Sequence, residues 1–210
     1  MNFLAHLHLA DPEPGLLLGG IVADFARNPE IALLPADVQL GVRLHRLIDG
    51  FTDRHPVVHR SISRVSRRLG WFAGIVIDVY YDHILARDWQ RFTTEPLPTF
   101  AGRSYRVLED AYADVPPGAQ EFIRRFIDNN YIVGYSTIEG ITRAFTRLSE
   151  IIADRMPKRA IWLPDSLPDL AAADAELAAD FHAFYPELMA FAAESRRSFA
   201  TSLVVTPTPE

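Results

Sequence analysis

The chain has no cysteine among its 210 residues. Disulfides and thiolate metal ligands are thereby excluded, and any metal must be held by His, Asp or Glu. Lysine is nearly absent too: of 21 Lys and Arg residues, Lys158 alone is lysine. A genome biased toward Arg codons accounts for that, and so does recognition of phosphate or carboxylate by bidentate guanidinium groups. No uncharged run approaches the roughly 18 residues that span a membrane. The most buried-looking stretch, Trp71 to Val79, already contains Asp78. The apolar start lacks a basic segment and meets Asp11 and Glu13 early, so it does not read as a signal peptide. These absences point to a cytoplasmic chain with no membrane partner. A net charge of −6 argues against nucleic acid as a partner. There is no Gly-rich phosphate loop, no Rossmann signature and no internal repeat.

What is present is a helical period almost throughout, which predicts an all-α fold. Leu40, Leu44, Leu47, Ile48 and Phe51 form one stripe of a helix over Asp37–Thr52. A second helix is expected over Pro56–Leu69, stopped by Gly70, and a long buried one over Trp71–Phe92. Further helical patterns run from about Phe100 to Ala113, Gly118 to Asn129 and Tyr135 to Arg155. A connection, Met156 to Pro168, leads to an Ala-rich end that Pro186 is expected to divide into two helices. The organisation reads as one helical domain over residues 1–205 with a frayed tail over 206–210.

Four groups of residues carry candidate chemistry. In MNFLAHLHLA, Asn2 and His6 share a helix face by i, i+4 spacing, and His8 points elsewhere. Asp24 is an acid in the apolar GGIVADFAR, where an unpaired carboxylate is costly to bury and a metal or an arginine relieves it. In LHRLIDGFTD, His45, Asp49 and Asp53 follow i, i+4, i+8, with Arg46 projecting sideways toward a phosphate. In IDVYYDHILARDW, Asp78 and Asp82 are again i, i+4, and His83 follows directly. Each group has a bland alternative: hydrogen-bonded core histidines, a helix cap or ion pair, a solvated charged face. Together they bring acid and imidazole inward from separate apolar segments. A divalent ion explains that, and a His and Asp ligand set suits Mn²⁺, Fe²⁺, Mg²⁺ or Zn²⁺, the carboxylates favouring Mn²⁺ or Mg²⁺.

The sequence resembles the bacterial acyl carrier protein phosphodiesterases. The segments that carry the resemblance are MNFLAHLHLA, VADF around Asp24, LHRLIDGFTD, DVYYDHILARDW and, weakly, FHAFYPELM near the end. The resemblance implies an all-helical variant of the HD phosphohydrolase fold and dependence on a divalent cation, typically Mn²⁺. It implies cleavage of the phosphodiester between 4′-phosphopantetheine and a serine of acyl carrier protein, converting the holo carrier to apo. The chain departs from the wider superfamily in one respect: its dyad reads Asp82-His83, and the other candidates precede it.

On that basis Asp24, His45, Asp78 and Asp82, with His6, are the expected metal ligands. Asn2, His8, Asp49 and Asp53 are expected to support them. His83 is the candidate general acid for the serine leaving group, and Arg46 the group that stabilises added negative charge. Acyl carrier proteins are acidic, and Arg60, Arg64, Arg67 and Arg68, one stripe of the helix after Pro56, offer a docking patch. Two other readings stand beside this one: a helical metallophosphohydrolase acting on a nucleotide or another small phosphodiester, and a non-catalytic helical binding protein with structural polar groups.

Overall fold

The computed structural model describes residues 1–204, and of residues 66–68 and 200–204 the backbone alone. The expected tail over 206–210 and the side chains of Arg67 and Arg68 thus lie outside the described residues. Within them the protein is all-α and contains no strand. In chain order the helices are α1 (Phe3–Ala10), α2 (Pro14–Val22), α3 (Asn28–Ile31), α4 (Ala36–Thr52), α5 (Pro56–Leu69) and α6 (Ala73–Arg87). Then come α7 (Leu97–Asp110), α8 (Pro117–Asp128), α9 (Tyr131–Gly134), α10 (Ile138–Arg155), α11 (Leu167–Ala172) and α12 (Asp174–Val204). Proline stands in the first turn of α2, α7, α8 and α11, where its missing N–H would have had no helical partner.

The centre of the protein is α1, α2 and α6. Every residue of α2 from Gly15 to Val22 is buried, and α6 buries eleven of its fifteen residues. These helices are apolar on more than one face and need neighbours all round. The amphipathic helices α4, α5, α10 and α12 supply them.

Two features fix where the site forms. First, α2 lies against α4 at backbone distance. A Cβ on Gly19 would sit 2.2 Å from the Val38 carbonyl oxygen, and one on Gly41 would sit 2.6 Å from that of Leu16. Only glycine permits that approach, and it brings the carbonyl of Gly20 within reach of α4. Second, the N-terminus of α1 has no side-chain cap of its own. Asp82 of α6 caps it instead, accepting hydrogen bonds from the amides of Leu4 (2.7 Å) and Ala5 (3.1 Å). A carboxylate there satisfies two of the orphan N–H groups of the first turn and faces the positive end of the helix dipole.

Two expected elements differ. The helix anticipated over Trp71–Phe92 is shorter. Gly70 takes a left-handed φ of +51°, a 3₁₀ turn carries Trp71 and Phe72, and α6 ends at Arg87. Beyond it Trp89 donates its indole N–H to the Glu95 carbonyl at 2.7 Å, which holds a second 3₁₀ turn rather than more α-helix. Nor does Pro186 divide the terminal helix, since α12 continues through it. Pro186 faces solvent, where the carbonyl of His182 that loses its donor can be hydrated. Phe181, Phe184, Tyr185 and Leu188 are buried on both sides of it. Their burial, about 1.5–3 kcal/mol each, outweighs the roughly 3 kcal/mol cost of an interior proline.

Candidate metal centre

His45 and Asp49 lie one turn apart on α4, and α1 packs across them to add His6. The His6 and His45 rings stack with centroids 3.8 Å apart and planes inclined by 10°. Both Nε2 atoms face the Asp49 carboxylate, at 3.2 Å from His6 and 3.0 Å from His45. One ligating atom from each of these three residues lies within 4.8 Å of the others. Asp24, in the turn after α2, brings an oxygen to 3.4 Å from His45 Nε2. Asp78 reaches the same place from α6, and the amino group of Met1 lies 3.2 Å from it and 3.6 Å from Asp49.

Imidazole orientation is set from behind. His45 Nδ1 lies 2.8 Å from the Gly20 carbonyl oxygen, which can only accept. The proton therefore sits on Nδ1, and in the neutral ring the lone pair is on Nε2, toward the carboxylates. This is how metal-binding histidines are commonly held. His6 is fully buried, yet neither of its ring nitrogens makes a hydrogen bond; Nε2 is close to Asp49 but off the bonding direction. A buried imidazole with no partner is costly. An ion between His6, His45 and Asp49 supplies the missing partner at Nε2, so the residues present fit a divalent cation.

Without an ion, the charges distribute unequally. Burial disfavours charge on His45, but Asp24 and Asp49 outweigh it and carry its pKa up to about 9. Burial, reinforced by the neighbouring His45 charge, drives His6 down to about 4. Asp49 resists its partial burial: the two imidazoles hold its carboxyl well below the usual range. Asp78 goes the other way, pushed up by burial despite the Met1 ammonium beside it.

The remaining candidates fall in different places. Asn2 lines the site and donates to the Tyr135 hydroxyl at 2.9 Å, and Asp53 lines its open edge. His8 points away into an aromatic cluster, with Nδ1 2.7 Å from the Tyr185 hydroxyl and Trp89 and Phe100 around the ring. Asp82 spends its two oxygens on the α1 cap and does not join the cluster. His83 turns from it as well: its Nδ1 lies 2.7 Å from the Tyr135 carbonyl. Arg46 is exposed and donates to Asn28 of α3. Arg60 and Arg64 both pair with Asp180 of α12, a carboxylate only 4% exposed, so two members of the expected docking stripe are already engaged.

The sequence reading missed what lies beside the cluster. A cleft of about 460 Å³ holds Asp24, His45, Asp49, Asp53 and Asp78, and it runs into a second of about 270 Å³. The two share Asn2, Phe3, Asp24, Val79 and Leu148. Arg125, Arg147 and Arg155 line the second, arriving from α8 and α10. Nothing in their spacing sets them apart from other arginines of amphipathic helices; only the packing of α8 against α1 and of α10 against α6 gathers them.

Residues 1–188 match the family model described as acyl carrier protein phosphodiesterase. The chain belongs to that family. A Photorhabdus laumondii protein named acyl carrier protein phosphodiesterase is 34% identical over 191 residues, covering 90% of this chain and 93% of that one. A Shigella boydii protein of the same name is 37% identical over 199 residues, covering 90% and 96%. One from Salmonella agona is 35% identical over 198 residues, covering 92% and 98%. No solved structure matches the chain. The cluster His6, His45, Asp49, Asp24 and Asp78 therefore sits in a chain that aligns with these relatives over nearly its whole length.

Proposed function

We propose that this protein is a cytoplasmic, divalent-metal-dependent phosphodiesterase, one domain over residues 1–205, that hydrolyses the bond between 4′-phosphopantetheine and the serine of acyl carrier protein. Family membership supports the reaction. The observation that carries the chemistry is the meeting of one ligand atom each from His6, His45 and Asp49 within 4.8 Å, with His45 and Asp49 lining an open cleft and His6 buried behind them. Helices α1 and α4, supplying His and then a His and Asp one turn apart, also support reading the fold as a variant of the HD phosphohydrolases.

His6, His45 and Asp49 hold the cation, with Asp24 and Asp78 beside them. Mn²⁺ suits this mixed set best, and Mg²⁺ or Fe²⁺ next. When bound, the cation supplies Lewis acidity at the phosphoryl group and lowers the pKa of water. The Gly20 carbonyl keeps His45 in the ligating tautomer. Asp78 lines the cleft and bonds to no imidazole, so it is placed to give the serine oxygen its proton. His83, held by the Tyr135 carbonyl, is not. Asp82 acts one step back, by holding the helix that carries His6.

The reading is tested by offering metal-loaded protein the holo carrier and, separately, a panel of nucleotides. Conversion of holo carrier to apo, seen as a gel shift, is expected. Release of nucleoside or phosphate with no shift of the carrier would replace this reading with that of a small-molecule phosphohydrolase.

A further inference from the structure

The second cleft has an odd composition for a surface feature. Its wall is aromatic: Phe25 and Phe122 stack with centroids 4.3 Å apart, and Phe3 lies tilted against Phe122 at 4.5 Å. Yet Arg147 enters this wall, and its Nε is buried with no hydrogen-bond partner. The Glu150 carboxylate takes a terminal nitrogen of that guanidinium at 2.9 Å and leaves Nε free. The side chain as a whole is 43% exposed and lines the cleft, so its terminal N–H groups can meet an acceptor there. Arg125 and Arg155 stand on the same wall, and Arg155 makes no ion pair among the described residues. The cleft opens into the metal-site cleft across Asn2, Asp24 and Leu148.

The occupant must therefore be mostly apolar, carry carbonyl acceptors along its length, and be joined to a group that sits at the His6–His45–Asp49 cluster. An alkyl-amide chain fits. We propose that this cleft seats the pantetheine arm of the carrier protein, with an amide carbonyl of the arm accepting from the Arg147 guanidinium and the phosphodiester held at the metal cluster. Arg125 and Arg155 then face the acidic carrier from which the arm extends. This rests on the reaction proposed above, and it adds a binding site to it. At about 270 Å³ the cleft is close to the roughly 300 Å³ lower bound for small-molecule sites.

The test uses free pantetheine, which has neither phosphate nor protein, so it reads the cleft apart from the chemistry. The full chain is titrated with pantetheine and with adenosine, and kcat/KM is measured on holo carrier with Mn²⁺. Two variants are compared: Ala144→Leu, which adds bulk to the wall, and Arg147→Gln, which removes the donor. Saturable binding of pantetheine but not adenosine is expected. Each variant should weaken pantetheine binding and lower kcat/KM by about tenfold, with Mn²⁺ affinity unchanged. Binding of pantetheine by a protein that never converts holo carrier would sink the proposed reaction and uphold the cleft. Absence of pantetheine binding, preferential adenosine binding, or wild-type kcat/KM in a folded Arg147→Gln protein would overturn the cleft assignment.

Discussion

His6 and His45 are 39 positions apart in sequence, yet their rings lie nearly parallel at 3.8 Å with both Nε2 atoms on one carboxylate, that of Asp49. Two imidazolium ions at that separation would repel, so at most one of the pair is doubly protonated and charged. The pKa values diverge accordingly, about 9 for His45 and about 4 for His6. A cation that takes both lone pairs resolves the conflict. Mn²⁺ should therefore raise the melting temperature, by about 2.7 kcal/mol of stabilisation at a hundredfold excess over its Kd. His45→Ala or Asp49→Ala should abolish that rise while leaving a folded helical protein. A shift that survives in both variants would place the metal elsewhere.

The same divergence sets a pH profile for the metal-free protein. His45 titrates higher folded than its ordinary 6.5, so its stabilisation is complete below pH 6.5 and is lost as pH rises through 9. His6 and His8, each lowered to about 4 by burial, act in the opposite sense. Their contribution is present above pH 6.5 and lost as pH falls through 4. Melting in chelator should peak near pH 6.5. With Mn²⁺ present the alkaline decline should disappear, because the ion must displace the His45 proton and binds better as pH rises. Calorimetry in buffers of different ionisation enthalpy should show proton release on Mn²⁺ binding at neutral pH.

Asp82 should prove structural. Asp82→Ala leaves the amides of Leu4 and Ala5 buried without an acceptor and should cost about 2–4 kcal/mol, read by chemical denaturation. Activity should fall with the folded fraction. Full stability with lost Mn²⁺ binding would instead make Asp82 a ligand.

Asp180 ties α12 to α5 through Arg60, Arg64 and the Ser61 hydroxyl. Arg64→Glu sets a like charge beside this buried carboxylate and should destabilise by about 1–3 kcal/mol. KM for the carrier should stay unchanged at low salt. A raised KM in a protein of normal stability would restore this face as a docking surface.

Much of this was legible in the residues. The stripe through Leu40, Leu44, Leu47 and Ile48 located α4, and its period put His45 and Asp49 on one face. Asp24 stood out as an acid in an apolar run. The group over Asp78, Asp82 and His83 was visible but not separable. Neighbouring residues on one helix meet three different partners: the Met1 amino group, the α1 amides and the Tyr135 carbonyl. Those partners lie 52 to 78 positions away in sequence, and no local period encodes them. His8 looked like His6 in sequence. Two residues along a helix is a rotation of about 200°, enough to send one ring to His45 and Asp49 and the other into the aromatic core. The Arg147 cleft was invisible for the same reason, since only tertiary packing brings α8 to α1 and α10 to α6.

The central claim is metal-dependent removal of phosphopantetheine from the carrier, and intact mass spectrometry reads it directly. Holo acyl carrier protein is incubated with metal-stripped protein, with and without added Mn²⁺. The account predicts that the carrier loses the mass of the phosphopantetheine group only when Mn²⁺ is present. A carrier that keeps its full mass with Mn²⁺ bound to the protein, or loses it equally in chelator, would contradict it.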